Sequence, residues 1–411
     1  MSETFDAIVV GGGAAGMCCA GFAAARGLSV AVVERNARPA RKVMITGKGR
    51  CNVTNNCDND TFIRMVKRNG RFLYSAIHAF STADTMQWFT DLGVPLKTER
   101  GNRVFPCSDK AVDIVDALTA FVKKGGCQMV QGRCTDLVIQ DAKLQGVLLE
   151  DGRVISAPSV VVATGGMSYP LTGSTGDGYR LARQAGHEIV PPHPSLVPML
   201  VAGRDCPAMM GLSLKNVTLS LLDRKKKKPV FSELGEMLFT HFGVSGPLVL
   251  SASAHLDYQR FPDYTLSIDL KPALQPHQLD ARILRDFEAN LNKDLINALG
   301  ALLPAKMIPV MVARSGIPPQ TKVNQITREQ RMALVSCIKA FTLQPVAFSP
   351  IEEAIVTSGG VQVTQVNPAT MQSKLLDGLF FAGEVLDVDA YTGGFNLQIA
   401  FSTGYLAAQH L

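Results

Sequence analysis

The sequence predicts an α/β fold, with a parallel sheet assembled from both ends of the chain and interrupted by an inserted domain. Three observations carry that expectation. A β-branched run, Ala7-Ile8-Val9-Val10, enters the turn Gly11-Gly12-Gly13-Ala14-Ala15-Gly16, a small-residue helix follows, and a second apolar strand ends on Glu34. Two more apolar runs, one from Ser159 to Val162 and one from Leu379 to Phe381, also end in glycine turns, Ala163-Thr164-Gly165-Gly166 and Ala382-Gly383-Glu384. Between them Pro191, Pro192, Pro194 and Pro198 cluster within eight residues, and Pro345 and Pro350 close the segment they open.

The first stretch is a dinucleotide-binding fingerprint in its full context of strand, glycine turn, helix and strand-end acid. Gly11 permits the tight turn, Gly13 lets backbone N–H groups approach a pyrophosphate, and Gly16 lets helix and strand pack closely. The helix N-terminus at Ala14 and Ala15 supplies positive potential to phosphates. Glu34 accepts from a ribose 2′-hydroxyl, which favours an unphosphorylated adenosine ribose. The expected organisation is a Rossmann-like dinucleotide-binding domain over residues 1–190 and 351–411, with an insertion over 191–350. In the insertion, 191–275 reads as β-barrel-like and 276–345 as helical.

Residues 35–56, RNARPARKVMITGKGRCNVTN within them, are too rich in Gly, Asn and Arg for a strand or a continuous helix. A loop this long next to a nucleotide fingerprint is expected to be functional. Arg35, Arg41, Lys42, Gly47, Lys48, Gly49, Arg50, Cys51 and Asn52 are its candidate cofactor contacts. Residues 71–91 read as amphipathic helices with Phe72, Ile77, Phe80, Trp88 and Phe89 in the core, and 112–122 as another helix. Residues 128–155 shift towards period two and read as a small β-meander. The strand ending at Thr164, Gly165 and Gly166 returns the chain to the sheet beside the first glycine loop, where open α/β sheets bind ligands.

In the insertion, 212–222 and 229–240 read as strands joined by a basic tip, and 279–303 and 327–341 as helices. The C-terminal strand ends in Gly383-Glu384, suited to a flavin's ribityl chain. Asp387 follows, and Gly394, Phe395, Asn396, Leu397 and Gln398 open a helix whose N-terminus can stabilise negative charge on a reduced ring. An NAD dehydrogenase does not need this second element. It turns the cofactor choice to FAD.

Six runs together resemble the BaiN/YhiN-like family of NAD(P)/FAD-dependent oxidoreductases: GGGAAG, RKVMITGKGRCNVTN, ATGG, LFTHFGVSGP at 238–247, TSGGV at 357–361, and FFAGEVLDVDAYTGGFNLQIAFSTG at 380–404. The RCNVTN and LFTHFGVSGP runs are the specific ones. The resemblance implies a two-dinucleotide-binding-domain flavoprotein. It implies FAD held by Gly11, Gly13, Gly16 and Glu34, by Arg41, Lys42 and the Gly47-Lys48-Gly49 backbone, and by Glu384, Asn396 and Gln398. It further implies reduction of an activated C=C bond, either of uridine in ribosomal RNA or of a dehydro bile acid; an amine oxidase activity on aminoacetone is attached to related proteins. A non-catalytic RNA-binding flavoprotein is the remaining reading.

Reduction of a C=C bond conjugated to a carbonyl needs hydride, a carbonyl-polarising donor and an acid. No second fingerprint appears, so NAD(P)H is expected as a transient electron donor in a ping-pong order. Three candidates could serve the catalysis. Cys51 lies beside Arg50, and a nearby cation can lower a thiol's pKa. Tyr391 precedes a glycine turn, and His241 in the LFTHFG run could polarise a carbonyl. The remaining histidines show no metal-ligand spacing, and no metal is expected.

The chain has 411 residues and a net charge of +6. Residues 191–350 hold 18 Lys and Arg against 12 Asp and Glu, whereas the remainder holds 23 of each sign. The excess therefore lies in the insertion, with Arg224 and Lys225 to Lys228 at its densest point, the candidate nucleic-acid contact. The nine cysteines form no CxxC pair, the first residues are acidic, and no apolar run approaches the roughly 18 residues that span a bilayer. The expectation is a cytoplasmic protein with reduced thiols and no membrane partner.

Overall fold

The computed structural model describes residues 4–411. The chain divides into two compact units, one of residues 1–195 and 350–411 and one of residues 196–349.

The first unit is Rossmann-type. Its central sheet has the order Leu379–Phe381, Ser159–Val162, Ala7–Val10, Val30–Glu34, Gln128–Gln131, and every neighbouring pair is parallel. Strands covered on both faces read as unbroken apolar runs. Ile8, Val9, Ala31, Val32, Val160 and Val161 are all fully buried. The helix Ala14–Ala25 and the C-terminal helix Phe395–Ala408 approach closely because small residues meet: a Cβ added to Gly404 would land on the Ala15 carbonyl oxygen. Outside that contact Phe22 packs with its ring centroid 4.8–5.5 Å from those of Phe80, Trp88, Phe121 and Tyr405. The helices Tyr74–Ala79 and Thr82–Asp91 bury Ile77, Phe80, Trp88 and Phe89 in this core.

One reading needs correction here. Residues 128–155 are not a single meander, because Gln128–Gln131 joins the parallel sheet as the edge strand beside Val30–Glu34. Only Cys134–Gln140, Lys143–Leu149 and Val154–Ser156 form the antiparallel meander. A short period-two run carries no information about which neighbour it pairs with.

Ile189–Ser195 and Val356–Val361 pair antiparallel, so the chain leaves the first unit and re-enters it on adjacent strands. Pro191, Pro192 and Pro194 fall in the outgoing strand, whose register is irregular between Val190 and His193, where proline's missing donor is tolerated.

The second unit carries a seven-stranded antiparallel sheet whose two edges, Phe341–Leu343 and Pro345–Phe348, are consecutive in the chain with Gln344 between them. The Gln344 side-chain amide donates to the carbonyls of Phe261, Tyr264 and Pro345, filling the seam between those edges. Ser213–Asp223 and Phe231–Phe239 are the long hairpin around the basic tip, with residues 224–229 exposed. Lys225 is tied to Asp263 at 3.1 Å. The expected helix over 279–303 is broken. Pro276–Glu288 ends where the Asn290 side chain caps the Asp286 carbonyl, Leu295–Ala298 is a separate turn, and Ile308–Ser315 and Arg328–Lys339 complete the helical part.

Close backbone approach gives a discriminating stability test in the first glycine loop. A Cβ on Gly16 would overlap the Gly11 carbonyl oxygen, whereas one on Gly13 meets nothing nearer than 4.0 Å. Urea unfolding should show Gly16→Ala losing at least about 3 kcal/mol, the scale of a backbone clash. Gly13→Ala should lose within about 1 kcal/mol, the cost of a poorer N-cap. Equal losses would contradict this packing.

Candidate functional site

Gly11 takes φ +107°, and a Cβ there would stand 2.6 Å from the Ala163 carbonyl oxygen, so the first glycine loop lies against the end of the neighbouring strand. Gly13 is the N-cap of Ala14–Ala25 and no side chain caps that helix. The first-turn N–H groups of Ala14, Ala15 and Gly16 meet no protein acceptor among the described residues. Unpartnered donors at a helix N-terminus, with open space above Gly13, fit a pyrophosphate. Glu34 accepts from the Gly12 N–H at 2.8 Å and from the Asn36 N–H and Nδ2 at 2.7 and 2.8 Å, which fixes the acid beside the loop. Asn36, which sequence reasoning missed, also donates to the Thr172 carbonyl at 3.0 Å and accepts from Arg41 at 3.1 Å. Arg35 turns to Thr175 and Asp177, at 2.8 and 3.2 Å.

The loop after Glu34 is a chain of short turns. Arg41–Ile45 is helical, and Gly47, Lys48, Gly49 and Cys51 all have positive φ. Gly47, Lys48 and Gly49 are exposed. Asn52 Oδ1 and Thr164 Oγ1 are buried without a hydrogen-bond partner among the described residues. Such orphaned acceptors on two loops expected at the cofactor fit a bound group that would pair them. Gly165 follows Thr164 with φ +73°, and a Cβ on Gly166 would overlap Thr357 Oγ1.

Several expected contacts are spent within the protein instead. Lys42 pairs with Glu384 at 2.7 Å and donates to Ser168 Oγ at 2.6 Å, while Glu384 also accepts from the Thr357 N–H at 2.8 Å. Gln398 is fully buried; its amide accepts from Thr54 Oγ1 and donates to Phe80 O, Ser81 O and Ser402 Oγ, which leaves nothing for a cofactor. The Asn396 amide is closed on the Ala390 and Tyr391 backbone. Asp387 pairs with Arg68 and is nearly fully buried. Phe395 packs on Phe62 with 5.4 Å between ring centroids, Leu397 packs against the same core, and Gly383 at φ +77° sits where a Cβ would meet that of Ala15 at 2.9 Å. Gly394, at φ +96°, has Thr54 where a Cβ would go. Side chains were read here as ligands because they sit in matched motifs; their partners, up to some 340 residues away, were invisible.

Cys51 needs a further correction. Its thiol is fully buried, and burial pushes its pKa up to about 12. The Arg50 guanidinium that was to lower it instead pairs with Glu99 and Asp109 and lies 4.1 Å from the Phe105 ring centroid. Tyr391 lies half-buried, its N–H on the Met65 carbonyl at 3.1 Å and the Lys67 ammonium 5.2 Å from its ring centroid. His241 belongs to the second unit and is exposed, its ring against Phe242.

Beside Tyr391 lie two titratable groups missed in the sequence. The strand Asp389–Ala390 pairs with Val66–Arg68. Burial raises the Asp389 carboxyl pKa against the lowering pull of the Ser195 and Ser358 hydroxyls, which donate to it at 2.8 and 2.9 Å. Burial lowers that of the Lys67 ammonium, which Asp389 opposes. An acid inside an apolar run was the available signal for Asp389. Lys67 offered none.

This fold and this glycine-loop site define a Rossmann-type, FAD-dependent oxidoreductase. The chain belongs to the HI0933-like family: the model described as "HI0933-like protein Rossmann domain" matches residues 5–410. The resemblance to BaiN/YhiN-like flavoproteins holds. A ribosomal RNA dihydrouridine synthase of Escherichia coli (strain K12) is 31% identical over 417 residues, covering 100% of this chain and 98% of that protein. A 3-dehydro-bile acid delta(4,6)-reductase of Clostridium scindens is 29% identical, covering 98% of this chain and 97% of that protein. Among solved structures, a flavocytochrome c3 fumarate reductase superposes with TM-score 0.54 at 18% identity, covering all of this chain and 78% of that one, a likeness of fold. No helix among the described residues is long and apolar enough to cross a membrane.

The Cys51 environment predicts its reactivity. A thiol with a raised pKa stays protonated at pH 8, and only the thiolate is the nucleophile. Alkylation of the folded protein at pH 8 followed by peptide mapping should label the exposed Cys107 first and Cys51 only on unfolding. Early labelling of Cys51 would show an activated thiol.

Proposed function

We propose that this protein is an NAD(P)H-dependent reductase of an activated C=C bond whose substrate is uridine in ribosomal RNA, converted to dihydrouridine. The observation that carries the reading is the end-to-end likeness to a ribosomal RNA dihydrouridine synthase, which leaves almost no part of either chain unmatched. The charge distribution supports it, since residues 196–349 carry the whole basic excess, 18 Lys and Arg against 12 Asp and Glu. A polyanionic substrate is drawn to such a surface. The comparable likeness to a bile acid reductase favours a second reading, a small enone with the same electronic demand.

Bound FAD would supply hydride transfer between the nicotinamide and the substrate carbon β to a carbonyl. The protein's part is to hold the pyrophosphate on the N–H groups of Ala14, Ala15 and Gly16, and to place a proton on the α carbon. Tyr391 is the proposed donor. It stands next to the glycine turn that opens the C-terminal helix, and the Lys67 cation against its ring stabilises negative charge left on the phenol oxygen. Cys51, buried with its pKa at about 12, is a poor donor at neutral pH. No second nucleotide fingerprint is present for a resident nicotinamide, which supports a donor that visits and leaves.

The test is anaerobic. The protein reduced with NADH or NADPH is offered unmodified ribosomal RNA or a dehydrosteroid as electron acceptors, and the oxidised protein is offered aminoacetone as an electron donor. RNA should reoxidise the reduced protein and gain dihydrouridine. Tyr391→Phe should leave the reductive half intact and slow the oxidative half by about 10²-fold or more, the scale of a lost general acid. Reoxidation by the steroid alone would move the substrate to the second reading, and an unchanged oxidative rate in Tyr391→Phe would remove it as donor.

A further inference from the structure

The hairpin Leu96–Glu99 and Arg103–Pro106 ends in the exposed tip Arg100-Gly101-Asn102, where Gly101 and Asn102 both have positive φ. Gly and Asn are the residues that most readily take the left-handed conformation in such a hairpin loop, and hydrogen bonds to their carbonyls hold the tip. Buried Asn55 fixes the tip in place: its Nδ2 donates to the Gly101 carbonyl at 3.1 Å and to the Gly393 carbonyl at 3.0 Å, and the Asn56 N–H donates to the Asn102 carbonyl at 2.7 Å. One amide nitrogen therefore joins the tip to the glycine turn that follows Tyr391 and opens the C-terminal helix. The tip stands at the rim of the candidate site.

The charges there are sorted. Glu99 and Asp109 are taken by Arg50 and Lys97, with Lys97 at 2.7 Å from Asp109. Arg100 and Arg103 are exposed and have no acidic partner among the described residues. The Arg103 Nε donates to the Arg100 carbonyl at 3.1 Å and its guanidinium lies 5.9 Å from the Phe105 ring centroid, so one of the two cations is held in place. Two uncompensated guanidinium groups on a tip held by hydrogen bonds suit bidentate contact with phosphate.

We propose that the Arg100–Arg103 hairpin tip is a phosphate-backbone contact for RNA, gripping the strand beside the reacting nucleotide; this rests on the RNA reading above. It puts a nucleic-acid contact in the cofactor-binding unit itself, separate from the lysine run of the inserted unit. Phosphate contacts position a nucleic acid without reading its sequence.

The test measures binding of an unmodified ribosomal RNA fragment by the FAD-loaded protein across a salt series. Arg100→Gln/Arg103→Gln should bind about tenfold more weakly near physiological salt and lower the log–log salt slope by about 1.4, two single-strand phosphate contacts at 0.7 each. Arg100→Lys/Arg103→Lys should recover the slope, because it restores charge, and NAD(P)H oxidation should be unchanged in both. If the parent reduces and binds RNA while the Gln variant keeps its affinity and slope, this inference is overturned and the RNA reading stands. If the parent neither binds nor reduces RNA, the RNA reading falls and takes this inference with it. A Lys variant whose salt slope stays as low as that of the Gln variant would show that charge at these positions meets no phosphate, and would also overturn it.

Discussion

The cofactor-binding unit depends on one partly buried ion pair. Lys42 and Glu384 are 342 positions apart, each with about a fifth of its side chain exposed, and around them gather Ser168 and the Thr357 N–H. The four segments come from the loop after the second strand, the turn after Ser159–Val162, the strand re-entering from the insertion, and the end of the last sheet strand. A chain interrupted by 154 residues must bring its C-terminal piece back to one place on the sheet. Parallel strands alone allow slippage along the pairing direction, whereas a charged pair with fixed hydrogen-bond partners does not. An unpaired charge at this depth would be costly, so the pair specifies the arrangement even where its net stabilisation is small.

Close backbone approach supplies the second constraint. Gly11, Gly16, Gly394 and Gly404 each occupy places where a Cβ would overlap another segment's main chain. These contacts compress both helices onto the loops and leave the first-turn N–H groups of Ala14–Ala25 unspent. Buried donors without partners are costly in a folded protein and are tolerated where a ligand completes them. The same logic covers Asn52 Oδ1 and Thr164 Oγ1. They are not the unit's only buried polar atoms without a partner among the described residues, since Trp88 Nε1 and Tyr179 Oη share that state inside the core; what sets them apart is their place on the loops beside the glycine turns.

Much of this was legible in the sequence because it is local. The strands, the glycine loops, Glu34 and the aromatic core of 71–91 follow from period, turn chemistry and spacing within about 20 residues. What depends on pairing over long separations was not. Gln128–Gln131 looked like part of a meander, and nothing in a four-residue run reveals that its neighbour is Val30–Glu34. Gln398, Asn396, Glu384 and Lys42 were read as ligands, yet their polar atoms are spent on residues remote in the chain or on local backbone. The break at Asn290 was signalled by its asparagines and overlooked because the apolar spacing ran through it. Asn55 lay inside a recognised run but showed its role only when Gly101 and Gly393 came to either side of its amide.

The coupling energy between Lys42 and Glu384, measured by a double-mutant cycle with Lys42→Met, Glu384→Gln and the double variant in urea unfolding of the cofactor-free protein, tests the central claim most directly. A cycle isolates the pair from the other contacts each residue makes. If this pair ties the split unit together, the double variant should lose less stability than the two single losses added together, the difference being a coupling of about 1–2 kcal/mol. A coupling below about 0.3 kcal/mol, with the single losses simply adding, would contradict the account.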